Sequence, residues 1–80
     1  MREIKIGKKY RHFKGKEYLV LDIVYDGTYN DAEPKKLVIY QALYGDKLKW
    51  ARPYDMFNCL VDHEKYPDAL QLYRFEEIDE

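Results

Sequence analysis

Two short segments hold the side chains with the clearest potential for binding chemistry. Arg11 and His12 are adjacent near the amino terminus, and Gln41, Trp50 and Arg52 lie near the middle of the chain. A guanidinium binds anions, an indole stacks on planar groups, and a glutamine amide both donates and accepts hydrogen bonds. A histidine gains or loses a proton close to neutral pH. These residue types predict recognition of an anionic or planar ligand.

The pattern of residues 36–52 predicts that three of these side chains meet. The segment reads as a β-hairpin with Gly45-Asp46 as its two-residue turn. In that register Gln41 pairs with Trp50, and Arg52 lies on the same apolar face as both. The sequence therefore predicts a cleft with Trp50 as a stacking floor, Gln41 as an amide partner and Arg52 as a cation.

Arg52 has two interpretations that the residues leave open. An unpaired guanidinium on an apolar face is costly, so either a ligand or an internal partner must satisfy it, the latter being a carboxylate such as Asp22 or Asp55, or backbone carbonyls at the end of the barrel. Strand alternation puts Arg11 and His12 on opposite faces, so only one of them can join the cleft. His12 is either a structural residue or part of that cleft.

Signals for catalysis are weak. The four glycines are scattered, the chain contains no serine, and His12 and His63 lie far apart. These features argue against a phosphate loop, a serine triad and a zinc site, and we predict no cofactor and no metal. An enzyme would need His12 as a general base and Arg52 as an oxyanion stabiliser, side by side. The sequence favours a binding module over an enzyme.

Short alternating segments predict the fold that positions these residues. A helical turn is expected at residues 53–58, where Pro53 suits a first turn and Met56 and Phe57 fill the core, and a surface loop at 26–34. The predicted class is mainly β: a small SH3-like or partly open barrel of about five strands with one short helical turn, in a single domain spanning residues 1–80. The predicted strands lie at residues 8–13, 17–25, 36–44, 47–52 and 70–78.

The second predicted strand has a clear two-residue period. Leu19, Leu21, Ile23 and Tyr25 alternate with residues of the other face. We predict that these four side chains face the core.

Charge and cysteine content bear on partners and location. The net charge is −1, with seven basic residues against Glu3 in residues 1–16 and seven acidic residues against two basic ones in residues 62–80. This asymmetry predicts that the two ends pair as neighbouring strands; nucleic-acid binding through the basic N-terminal strand and aromatic residues is the alternative. Cys59 is the only cysteine, which suits the cytoplasm. The expected partner is a small molecule or a protein rather than a membrane, bound by a monomer or weak dimer.

The chain resembles the bacterial family known as domain of unknown function 1653. The resemblance rests on YRHFKG at 10–15, VIYQALYG at 38–45 and WARP at 50–53 with Met56-Phe57, and it extends over about residues 7–78. Ile39 and Ala51 stand where the family pattern has valine. The resemblance implies a small compact bacterial protein and supplies no substrate, although all five candidate site residues fall within its motifs.

Overall fold

The computed structural model describes residues 2–28 and 33–78, so part of the predicted loop at 26–34 lies outside the described residues. The strands form one antiparallel sheet with the order β4-β3-β2-β1-β5. The predicted mainly β class, with five strands and one helical turn, is confirmed. Within the described residues β4 and β5 are edge strands, so the sheet is open rather than a closed barrel. The elements are β1 (Lys9–His12), β2 (Glu17–Tyr25), β3 (Lys36–Ala42), β4 (Lys49–Pro53), α1 (Tyr54–Phe57) and β5 (Phe75–Glu77).

The core lies on one side of this sheet, which we call the inner face. Phe57 from α1 stacks on Phe75 from β5, with ring centroids 4.1 Å apart and an interplanar angle of 5°. Of the two residues predicted to fill the core from the helical turn, Phe57 is buried, but Met56 is half exposed, so that half of the prediction is wrong. The core cluster consists of Ile4, Tyr10, Val20, Val38, Tyr40, Phe57 and Phe75.

A β-bulge in β2 overturns the predicted core face of that strand. The register against β3 shifts between Val20 and Asp22, so the alternation changes phase at Leu21. Before the bulge Tyr18 and Val20 face inward, and after it Ile23 does. Leu19 and Leu21 therefore lie on the outer face, contrary to the prediction, and Tyr25 is largely exposed, whereas Ile23 packs on the core as predicted.

The two chain ends pair, as their opposite charges predicted. β1 lies beside β5, with Arg11 opposite Glu76, and the Lys5 ammonium lies 3.6 Å from the Glu77 carboxylate. The predicted last strand at 70–78 is shorter, because the Glu76 carboxylate accepts hydrogen bonds from the backbone N–H groups of residues 72 and 73 and bends the chain before β5. The described residues contain no helix with the length and hydropathy needed to cross a bilayer.

The segment before β1 is anchored to the core by side-chain hydrogen bonds. The backbone N–H of Ile4 donates to the Tyr54 hydroxyl at 3.0 Å, and that of Lys5 donates to the Tyr10 hydroxyl at 2.9 Å. The Arg2 guanidinium donates to the side chain of Asn58 and lies 3.8 Å from the centre of the Tyr73 ring. This segment therefore closes one end of the aromatic core.

Candidate functional site

The turn between β3 and β4 changes the face on which Gln41 lies. Tyr40 pairs with Trp50 and Val38 pairs with Arg52, one residue away from the predicted register. The predicted two-residue turn is wrong: the loop spans residues 43–47, and the N–H of Ala42 donates to the carbonyl of residue 48 at 2.9 Å.

Left-handed backbone at two positions accommodates this longer loop. Gly45 has a φ of 57° and Lys47 a φ of 55°. Glycine adopts this conformation readily, but a lysine gives no such signal in the sequence. A shift of one residue in the register moves the side chains of a strand to the opposite face. The three side chains of the predicted cleft therefore no longer share one face.

Trp50 and Arg52 lie on the inner face and Gln41 on the outer face. The Gln41 amide nitrogen donates to the carbonyl of Lys47 at 3.0 Å, so this side chain stabilises the loop. Arg11 is also on the outer face, where its guanidinium lies 3.1 Å from the Glu17 carboxylate. The structure therefore does not bring Gln41 or Arg11 to the side that carries Trp50 and Arg52.

Arg52 reaches the aromatic core without a carboxylate partner among the described residues. Its Nε donates to the Tyr40 hydroxyl at 3.1 Å, and its guanidinium carbon lies 5.6 Å from the centre of the Phe75 ring. Neither predicted internal partner is an ion-pair partner: the Asp22 carboxylate accepts the N–H of Ile23 instead, and Asp55 makes no salt bridge with Arg52 within the described ranges. The rest of the Arg52 guanidinium has no protein acceptor within those ranges.

His12 is the member of the Arg11-His12 pair that faces inward. Its ring lies between Phe13, with a centroid distance of 4.5 Å, and Phe75, with a centroid distance of 4.9 Å. Its Nδ1 accepts the N–H of Lys14 at 3.1 Å. In the neutral ring the proton is therefore on Nε2, which leaves Nε2–H as a donor.

The charges around His12 are all positive. Burial, as the largest cause, and the charges of Arg52, Arg74 and Lys14 together lower the pKa of His12 to about 4. His12 is therefore neutral at pH 7. We call Arg52, Arg74 and Lys14 around His12 the cationic cluster.

Arg74 is the member of the cationic cluster that sequence reasoning missed. The residue precedes the core residue Phe75, and its Nε is buried without a hydrogen-bond partner. In the sequence it is only one position of the predicted strand at 70–78, with nothing that marks it as a site residue. The chain bends here instead: the N–H of Arg74 donates to the carbonyl of Cys59 at 2.9 Å, and its carbonyl accepts the N–H of Phe13.

Tyrosines form the wall beside the cationic cluster. The Tyr18 and Tyr44 hydroxyls are 2.7 Å apart, and the Tyr18 and Tyr40 rings meet edge to face at 5.3 Å. Burial and the hydrogen bond with Tyr44 raise the pKa of Tyr18, so the phenol stays neutral. The Lys16 ammonium lies 4.9 Å from the centre of the Tyr44 ring. The inner face thus combines neutral hydroxyls with cations.

Other depressions of the surface are less suited to binding a ligand than the cationic cluster. One, of about 510 Å³, is lined by Arg2, Glu3, Lys5, Tyr10 and Glu77, and Lys5 and Glu77 in it already form an ion pair. A large volume does not identify a binding site when the charged side chains that line it have opposite signs and already pair with each other. The described residues also hold no group of three or more His, Cys, Asp or Glu side chains that could bind a metal ion.

Comparison with known proteins gives one match. A family model described as "Protein of unknown function (DUF1653)" matches residues 8–77, a range that contains β1 to β5 and the whole cationic cluster. No curated protein and no solved structure matches the chain.

Proposed function

The chain belongs to this family of proteins of unknown function, DUF1653, and from its geometry we propose that it is a binding module that holds a small anionic ligand at the cationic cluster. One observation carries the proposal: Arg52 lies over the Phe75 ring, Arg74 has a buried Nε without a hydrogen-bond partner, and neither arginine has a carboxylate partner among the described residues. Burying the Nε of Arg74 without an acceptor is costly. An anionic ligand would supply the missing acceptor.

The groups around the cationic cluster also suit an anion. A neutral His12 with its proton on Nε2 can donate a hydrogen bond, and so can whichever hydroxyl of the Tyr18–Tyr44 pair is the acceptor in their mutual hydrogen bond. Charge-assisted hydrogen bonds from guanidinium groups are about twice as strong as neutral ones. The aromatic rings at this face reduce contact with water, which strengthens each of these interactions.

The same geometry favours binding over catalysis. A general base works best when its pKa lies near the working pH. The pKa of about 4 makes His12 a weak base at pH 7, and its Nδ1 is already occupied by the N–H of Lys14. We therefore assign His12 a role in holding the ligand.

Nucleic-acid binding is the alternative to a small ligand. In its favour, Lys14 lies 5.3 Å from the centre of the Tyr66 ring and Lys16 lies beside Tyr44, an arrangement that suits stacked bases with nearby phosphates. Against it, the basic residues of the N-terminal segment are divided between two faces, and Arg11 pairs with Glu17. We propose the small ligand, in a bacterial cytoplasmic protein, since a single cysteine suits a reducing compartment.

An anion titration tests the proposal. Inorganic phosphate, pyrophosphate and citrate are added at constant ionic strength, and backbone NMR shifts are followed. We expect saturable shifts at residues 12, 52 and 74, and an affinity about 10-fold weaker or more in Arg52→Met and Arg74→Met, because each loses a charged hydrogen bond.

Arg11→Met is the matched control, since it removes the same charge from the outer face and should leave the affinity unchanged. Equal weakening by Arg11→Met, or no saturable binding of any anion, would overturn the proposal. Titration with single-stranded and duplex RNA at two salt concentrations tests the alternative. Tight RNA binding that weakens steeply with salt would replace the small ligand by a nucleic acid.

A further inference from the structure

A second feature of the inner face lies two residues along β4 from the cationic cluster. A depression of about 120 Å³ is lined by Ala42, Tyr44, Asp46, Lys47, Leu48 and Trp50. Its volume is of the order that one flat ring requires, since cavities of about 150 Å³ hold benzene. We call this depression the ring pocket.

The side chains of the ring pocket are unusually exposed for their type. Trp50 is 48% exposed and Tyr44 is 39% exposed, whereas Ala42 between them is buried at 3%. Leu48, also exposed, adds an aliphatic side. Two accessible aromatic rings over a small apolar floor form a surface on which a planar group can stack.

The ring pocket and the cationic cluster are at a defined separation. Trp50 and Arg52 lie on the same face of β4, and alternate residues of a strand are about 7 Å apart. Tyr44 of the ring pocket also contacts Tyr18, whose ring meets Tyr40, the partner of Arg52. One small molecule can therefore reach both places.

The charges determine how such a molecule would lie. Asp46 and Lys47 both border the ring pocket, so their opposite charges offset each other there, while the cationic cluster favours an anionic group at the other end. The anion is thus directed toward Arg52 and the ring toward Trp50.

We propose that the ligand is a planar ring joined by a spacer of about 7 Å to an anionic group, with the ring in the ring pocket and the anion at the cationic cluster. Nucleoside monophosphates and arylalkyl carboxylates share this chemistry. This inference rests on the proposed function, because the cationic cluster holds the anionic half.

The test uses four probes: inorganic phosphate, adenosine, adenosine 5′-monophosphate and indole-3-propionate. Trp50 is the only tryptophan, so its fluorescence reports directly on the ring pocket. We expect the monophosphate or the indole acid to bind at least about 10-fold more tightly than phosphate, since stacking on an aromatic side chain contributes a factor of this size, and we expect the monophosphate, which carries no indole, to change Trp50 emission. Which of the two binds more tightly distinguishes a phosphate from a carboxylate ligand.

Two variants separate the two halves of the site, with calorimetry as the readout. Trp50→Leu should reduce the affinity for the tighter probe to that for phosphate and leave phosphate binding unchanged. Tyr25→Leu, a matched change of an exposed aromatic residue in β2 outside the ring pocket, should have no effect.

The outcomes distinguish failure of this inference from failure of the proposed function. If phosphate binds through Arg52 but neither joined probe binds more tightly, or Trp50→Leu has no effect, the ring pocket is refuted and the anion site stands. If Arg52→Met leaves phosphate binding unchanged, or no probe binds saturably, both are refuted.

Discussion

Replacing Arg52 by methionine separates a binding role from a structural one. Methionine fills the space of the arginine stem, so the packing beside Phe75 is kept. The main loss is the hydrogen bond from Nε to the Tyr40 hydroxyl, and hydrogen bonds to charged groups contribute roughly 1.5–3 kcal/mol. Removing a charge that faces the positive charge of Arg74 near His12 offsets part of this loss. We expect the free energy of unfolding to fall by about 1–2 kcal/mol.

Urea denaturation measures this change. With a slope of about 1 kcal/mol per M for a small domain, the midpoint should fall by roughly 1–2 M while the slope stays constant. An NMR titration gives a second readout: the pKa of His12 should rise in the variant, because the charge of Arg52 is one cause of its low value.

Lys49→Met is the matched control, because Lys49 is exposed and lies on the outer face of the same strand. It should change the free energy of unfolding by less than about 0.5 kcal/mol and leave the pKa of His12 in place. An Arg52→Met protein that loses more than about 3 kcal/mol, or that is unfolded at 25 °C, would show that Arg52 is a structural residue. An unchanged His12 pKa would refute the electrostatic description of the cationic cluster.

Three further predictions concern stability. The pKa of His12 is about 4 in the folded protein and near 6.5 in the unfolded chain. The contribution of His12 to stability is therefore complete above pH 6.5 and is lost as the pH falls through 4. Between pH 7 and pH 4.5 the urea midpoint should fall more in the parent protein than in His12→Gln. Lys47→Gly should raise the free energy of unfolding by about 0.5–1 kcal/mol by relieving a left-handed backbone, and a lower thermal midpoint would contradict this. Arg2→Ala should lower the free energy of unfolding by roughly 1.5–3 kcal/mol, because the guanidinium donates to the Asn58 side chain and the Phe75 carbonyl and lies over the Tyr73 ring. A thermal midpoint equal to that of the parent would exclude an anchoring role for Arg2.

Residue pattern was sufficient for the fold class and for the pairing of the two chain ends. Alternation located β1 to β4, and the opposite charges of the terminal segments indicated that β1 and β5 are neighbours. The inner face of β2 could not be predicted, because the bulge at Leu21 depends on pairing with β3 rather than on the local sequence.

Prediction of the site was limited by one position in one turn. A lysine with left-handed backbone lengthens the loop after β3, and this moves Gln41 away from Trp50 and Arg52. Trp50 and Arg52 were still predicted together, because they are two residues apart on one strand. Arg74 gave no sequence signal, since its position depends on the bend before β5. The two-residue period of a strand predicts which of its side chains share a face, whereas the partners across a turn also depend on the length of the loop.

The anchoring of the first residues shows that the match to the family and the packed core begin at different residues. Sequence similarity to the family begins at residue 8, yet Ile4 lies in the core cluster, and the N–H of Gly7 bonds the carbonyl of Val20 at 2.8 Å. A fragment trimmed to the matched range would leave the Tyr10 and Tyr54 hydroxyls without these partners and admit water to the aromatic core. The range matched by the family is therefore shorter than the set of residues that builds the core, and we expect a protease that removes the first seven residues to loosen the packing of the aromatic core.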